Sequence, residues 1–124
     1  MYIYRTADAS ASQRKPLIII IGGGFDSNMP ESMHTLGFDA LERGYNVLIF
    51  EGPGQPSFLH RQQPIGFVHD WEKVITPIVD HILARSEQEL SFVDTVKIAL
   101  AGLSFGGELA GRAAAFEPRL AALI

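Results

Sequence analysis

The residues best suited to chemistry lie in Gly102-Leu103-Ser104-Phe105-Gly106, a serine between two glycines that follows the apolar run Ile98-Ala99-Leu100-Ala101. A segment of small residues with helical character, 109–116, comes directly after it. Strand, tight turn and helix in this order form the setting of a nucleophile elbow. A serine on a strained turn has its hydroxyl lifted clear of the backbone. A side chain two positions before or after it would collide with the neighbouring strand and helix, and Gly102 and Gly106 remove that collision. The helix start behind the serine also directs free N–H groups at the place where an oxyanion forms, and the N–H of Phe105 is the best placed. The competing reading is that these glycines only let a helix pack closely on a sheet.

Serine at its ordinary pKa is a poor nucleophile and needs a base, usually a histidine oriented by an acid. No histidine follows Ser104, and the only acids after it are Glu108 and Glu117. His34, His60, His69 and His81 all precede it. His34 and His81 fall on predicted helices and read as helix-face residues, while His60 and His69 flank a stretch without assignable structure.

A second loop, Gly22-Gly23-Gly24-Phe25-Asp26-Ser27, leaves the end of an apolar run, where open α/β sheets bind ligands. As part of an acyl-transfer site it supplies another oxyanion donor, an N–H near Gly24 or Phe25. As a dinucleotide site it starts a Gly-x-Gly fingerprint, with Glu51 at the end of the next strand holding a ribose. The dinucleotide reading fits less well. Ser27 replaces the third glycine, Glu51 lies beyond the usual interval, and Pro30 stands where the pyrophosphate-binding helix should begin. Asp26, at the mouth of the loop, is either a functional acid or a side chain bonding nearby turn amides. Glu51 is either a ligand-binding acid or a brace for a Gly-Pro loop. Tyr2, Tyr4, Phe58 and Trp71 read as packing or cap contacts.

Several elements must position these residues. Residues 2–6 alternate weakly, as an edge strand does, and 7–15 read as a polar turn. The continuous apolar run 16–21 suits a parallel strand buried on both faces, and Asn46-Val47-Leu48-Ile49-Phe50 reads as the next buried strand. Asn28 with Glu31 resembles a capping box, Pro30 suits a first turn, and Met33, Leu36, Ala40 and Leu41 lie at helical spacing up to the stop at Arg43-Gly44. Glu51-Gly52-Pro53-Gly54-Gln55-Pro56 is loop, and 57–68 takes no assignment. Asp70 is the expected N-cap of a helix carrying Val74, Ile75, Ile78, Val79, Ile82 and Leu83, which Pro77 bends or begins. After Glu117-Pro118, residues 119–124 look like a further strand beginning. Alternating strands and helices imply a parallel sheet with right-handed crossovers, so one unit, 1–124, is expected.

At 124 residues, with 47% hydrophobic content, the chain suits one domain or less. A net charge of −4 gives no electrostatic reason for a nucleic-acid partner. The absence of cysteine excludes thiolate chemistry and Cys-ligated zinc. No metal or other cofactor is expected. No signal peptide or membrane-spanning run is read, so a cytoplasmic protein acting on a small molecule is expected, with its oligomeric state left open.

Taken together, the Gly22–Ser27 loop, Glu51-Gly52-Pro53-Gly54-Gln55, Asp70-Trp71-Glu72 and Gly102-Leu103-Ser104-Phe105-Gly106-Gly107 resemble one branch of the α/β-hydrolases. That branch includes 2,6-dihydroxypseudooxynicotine hydrolase, fungal polyketide-shortening hydrolases and related polyketide acyltransferases. The likeness spans nearly the whole chain. It implies a partial α/β-hydrolase fold, a mostly parallel sheet of about four or five strands with helices on both faces, truncated at the C-terminus. It further implies Ser104 as nucleophile, the backbone of Phe25 and Phe105 as oxyanion hole, and Asp26 in the place of an acid assisting cleavage beside a ketone. The implied reaction passes through an acyl-enzyme on an ester, amide or ketone-adjacent carbon–carbon bond, or transfers the acyl group to an alcohol. Pro56 stands where many relatives have glycine, and the later acid and histidine of the family are absent, so the chain is expected to be inactive alone.

Overall fold

A computed structural model describes residues 1–7, 13–61 and 65–124. Most of the expected polar turn over 7–15 therefore lies outside the described residues, as does part of 57–68.

The sheet has five strands: β1 (Tyr2–Tyr4), β2 (Lys15–Ile21), β3 (Asn46–Phe50), β4 (Val93–Ala101) and β5 (Ala122–Leu123). Their spatial order is β1-β3-β2-β4-β5. Only β1 runs antiparallel, on the outer edge of β3. β2 is central, pairing Ile20 with Ile49 on one side and with Ala101 on the other. Because side chains alternate along a strand, Leu17, Ile19 and Ile21 face one layer of helices and Ile18 and Ile20 the other. A strand covered on both faces must be apolar throughout, which accounts for the unbroken run at 17–21.

One face is covered by α1 (Met29–Ser32), a π-helical turn over Met33–Gly37, and α2 (Phe38–Glu42). Asn28 caps α1 by accepting from the Glu31 amide at 3.0 Å. The wide turn differs from the regular helix expected. Phe38 N–H reaches back to the Met33 carbonyl, and a Cβ on Gly37 would strike the Met33 sulfur, so the side chain of Met33 occupies the space beside Gly37. Gly44, at φ 84°, ends the segment.

The other face is covered by α4 (Glu72–Arg85) and α5 (Phe105–Ala114), whose Ile75, Val79, Ile82, Leu109, Ala110 and Ala113 pack on Leu17, Ile19, Leu48 and Leu100. Pro77 lies inside α4 and does not begin it. Asp70 is not its N-cap, a role taken by Trp71 through its backbone, because the Asp70 carboxylate is turned outward to Lys73 Nζ at 2.7 Å. A short helix, α3 (Pro56–Arg61), occupies a segment with no sequence assignment, and Pro56 opens it instead of closing the loop. β4 begins earlier than its apolar run. Val93 pairs with Lys15, and an irregularity follows before Ile98 meets Leu17, so the mostly polar stretch 94–97 masks the start of the strand.

Candidate active site

Ser104 links β4 to α5 with φ 55° and ψ −125°, and it is the only non-glycine residue with positive φ among those described. Such a conformation costs on the order of 1–3 kcal/mol and persists only where its surroundings enforce it. Here they do so through close packing. A Cβ on Gly102 would collide with the Gly106 carbonyl, and one on Gly106 would stand 2.7 Å from the Gly23 carbonyl oxygen. The Gly106 amide donates to the Leu103 carbonyl at 2.8 Å and the Gly107 amide to that of Ser104 at 2.9 Å. The serine is exposed, and its side chain makes no capping bond to α5.

The Gly22–Ser27 loop lies directly against this turn. A Cβ on Gly24 would sit 3.2 Å from Ser104 Cβ and 3.3 Å from the Phe105 nitrogen. Gly23, at φ 115°, makes the bend. The Gly24 N–H is already committed to Ser27 Oγ at 2.7 Å, whereas the N–H groups of Phe25 and Phe105 find no acceptor among the described residues. Of the two donors considered in the first loop, the structure therefore leaves Phe25 free and occupies Gly24. The two unpaired amides thus belong to the residue that follows the exposed serine and to the residue that follows Gly24, which packs against that serine.

Asp26 is exposed in the same loop and makes no hydrogen bond among the described residues; the turn is held by Ser27. Glu51 is the brace: its Oε1 accepts from the Met29 amide at 2.8 Å and its Oε2 from the Ser57 amide at 2.6 Å. Both carboxylate oxygens are thereby used on backbone, in the place where a dinucleotide site needs one for a ribose. Gln55, given no role by the sequence beyond its place in the Glu51–Gln55 motif, is fully buried. It accepts from the Gly52 amide at 2.8 Å and donates to the Gly23 carbonyl at 2.9 Å.

The side chains of Phe25, Phe105 and Phe67 form one aromatic cluster. Phe67 stacks on Phe25 with centroids 5.9 Å apart and meets Phe105 edge-on at 4.9 Å, and Phe25 remains 72% exposed. Phe67 is packed on Gly54, whose φ of 86° leaves no room for a side chain. Beside Phe105 opens a cleft of about 370 Å³ lined by Phe67, Val68, His69, Glu108, Leu109 and Arg112. The histidines do not form a dyad with Ser104. His69 is exposed beside Asp70, His81 bonds Arg85, His34 packs on Phe38, and His60 is exposed on α3. At the far side of the cleft Arg112 makes two 3.0 Å bonds to Glu72, which hold that carboxyl below its usual pKa and join α5 to α4. The described residues contain no group of three or more metal-ligating side chains and no helix long and apolar enough to cross a membrane.

Sheet order, crossover layers and the strained serine together define a partial α/β-hydrolase fold. Comparison with known proteins agrees. The chain is 38% identical over 120 residues to the hydrolase acrC of Aspergillus aculeatus, and 37% identical over 126 residues to the α/β-hydrolase psoB of Aspergillus fumigatus. It superposes with a TM-score of 0.78 and 28% identity on 2,6-dihydroxy-pseudo-oxynicotine hydrolase, covering 97% of this chain and 30% of that one. It covers 97% and 100% of itself in the two fungal matches, yet spans only about a quarter of each relative's length, 27% in both. No protein-family model matches the chain. The resemblance carried by the four motifs is thus a resemblance of sequence and of fold.

Proposed function

We propose that residues 1–124 are the nucleophile-bearing half of an α/β-hydrolase core, and that the complete enzyme is a serine hydrolase working through an acyl-enzyme. The observation that carries this is the strained, exposed Ser104 packed against Gly24, with the Phe25 and Phe105 amides unpaired beside it. In the proposed reaction Ser104 Oγ attacks the acyl carbon while a base takes its proton, and the oxyanion is received by the two amides. Collapse expels the leaving group, and water then releases the acid and regenerates the serine. The base and its orienting acid come from sequence outside these residues, so the 124-residue chain alone is expected to lack serine-dependent turnover.

The substrate we favour is polyketide-like or an aromatic ketone. Support comes from the aromatic wall of Phe25, Phe67 and Phe105, and from the named substrate of the pseudo-oxynicotine hydrolase. On a substrate whose scissile carbon–carbon bond lies beside a ketone, Asp26 is the acid proposed to assist the departing carbanion. Incubating the full-length gene product with an aryl ester and with an aryl β-diketone, and identifying the products, tests the proposal. Release of the acid that stops in Ser104→Ala supports it. Turnover that survives Ser104→Ala defeats it.

A further inference from the structure

Gln55 stands out because it is a large polar side chain with no exposure that nonetheless satisfies both ends of its amide. Its oxygen takes the Gly52 N–H and its nitrogen gives a hydrogen to the Gly23 carbonyl. The partners fix which end is which, since Gly52 offers only a donor and Gly23 only an acceptor. The Gly23 carbonyl also faces the first turn of α5, where a Cβ on Gly106 would stand 2.7 Å from its oxygen. It belongs to the same peptide unit as the Gly24 N–H and lies one peptide before the free amide of Phe25. Its own residue is in a positive-φ conformation that local preference does not hold in place.

Resting on the serine-hydrolase reading above, we propose that Gln55 is a positioning residue for the oxyanion-hole loop. It clamps the Gly23 carbonyl between the 51–55 loop and α5, and so fixes the direction in which the Phe25 N–H points. Glu51 supports the same loop from its other end by accepting from Met29 N–H, so the two polar side chains of the 51–55 loop hold both ends of the 22–28 segment. Only an amide suits this position, because the side chain must accept and donate at once, and neither an ionised carboxylate nor an aliphatic group does both.

The test uses the full-length gene product and the variants Gln55→Glu and Gln55→Met. Hydrogen–deuterium exchange followed by mass spectrometry reads residues 22–28, and turnover of an aryl ester reads catalysis. In both variants exchange over 22–28 is expected to rise at least about tenfold at neutral pH while β3 stays protected. The value of kcat is expected to fall by about 10 to 100-fold with KM within about threefold. As pH is lowered, the carboxyl introduced by Gln55→Glu regains a proton it can donate to Gly23. The ratio of that variant to wild type then recovers in both readouts, whereas that of Gln55→Met does not. The carboxyl groups of Asp26, Glu51 and Glu108 are common to both proteins and cancel in this ratio. Unchanged exchange over 22–28 in Gln55→Met, or loss of protection spread equally over β3, overturns the proposal. If Ser104→Ala keeps full turnover, the hydrolase reading fails, and the exchange data alone decide whether Gln55 holds the loop.

Discussion

Gly24 lies so close to Ser104 that a methyl group on it would come within 3.2 Å of the serine Cβ, closer than ordinary van der Waals contact. That contact brings the loop leaving the central strand onto the turn that presents the hydroxyl. Gly24→Ala must displace one of them by a few tenths of an ångström. Little loss of stability is expected, below about 1.5 kcal/mol, but kcat of the full-length protein is expected to fall roughly 100-fold. Steady-state kinetics beside thermal melting separates the two effects. The same variant addresses the dinucleotide reading, for which NAD affinity abolished by Gly24→Ala would be the supporting result.

The glycines of the elbow are governed by harder limits. Gly102→Ala drives a Cβ into the Gly106 carbonyl, where backbone on both sides leaves nothing flexible to yield. A loss of about 3 kcal/mol or more is expected, or failure to accumulate folded protein. Gly111→Ala, on the same helix, is the control, since a Cβ there meets nothing within 4 Å. Comparison of the two denaturation midpoints checks the prediction.

Glu51 supplies acceptors to two amides on different segments. Glu51→Ala is expected to cost about 1–3 kcal/mol, because two partly buried N–H groups lose their partner. Glu51→Gln keeps one carbonyl acceptor and should recover about half of that loss. Equal stability of the two variants in urea denaturation would remove Glu51 from this role.

Acid stability should depend on Glu117. Its buried carboxylate accepts from Arg119 Nε at 2.6 Å and from Thr76 Oγ1 at 2.8 Å, and these bonds, led by that from Arg119, lower its pKa from 4.5 to about 2. A carboxyl depressed in the folded state stabilises it fully above the unfolded pKa and loses that contribution as pH falls from 4.5 toward 2. Glu117→Gln is expected to flatten stability over that window and to cost on the order of 3 kcal/mol at neutral pH. Urea midpoints measured between these pH values provide the check.

Where one physical preference dominates, the sequence is readable. β3 is legible because a strand buried on both faces is apolar along its length, here Val47 to Phe50 after a buried Asn46 whose amide bonds backbone carbonyls. The elbow is legible because only glycine fits beside Ser104. Glu51 reads as a brace or a ligand-binding acid, and bracing is what its carboxylate does. The misreadings share another origin, partners distant in sequence or a competing local bond. Asp70 has the composition of an N-cap, but Lys73 draws its carboxylate away. β4 starts at Val93, set apart from the apolar run by Asp94, Thr95 and Lys97, and is held there by pairing with Lys15. Gln55 reads only as part of a motif and Phe67 carries no local signal, since one bonds Gly23 and the other packs on Phe25 and Phe105. The roles proposed for Ser104, Phe25, Phe105 and Asp26 rest on their geometry and on the resemblance of the motifs that carry them.

The most direct measurement treats the full-length gene product with a fluorophosphonate, maps the modified residue by mass spectrometry and solves the structure of the adduct. A single adduct on Ser104 Oγ is predicted, with the phosphonyl oxygen about 2.7–3.1 Å from the nitrogens of both Phe25 and Phe105. Modification of another residue, or an adduct whose oxygen points away from those two amides, would contradict it.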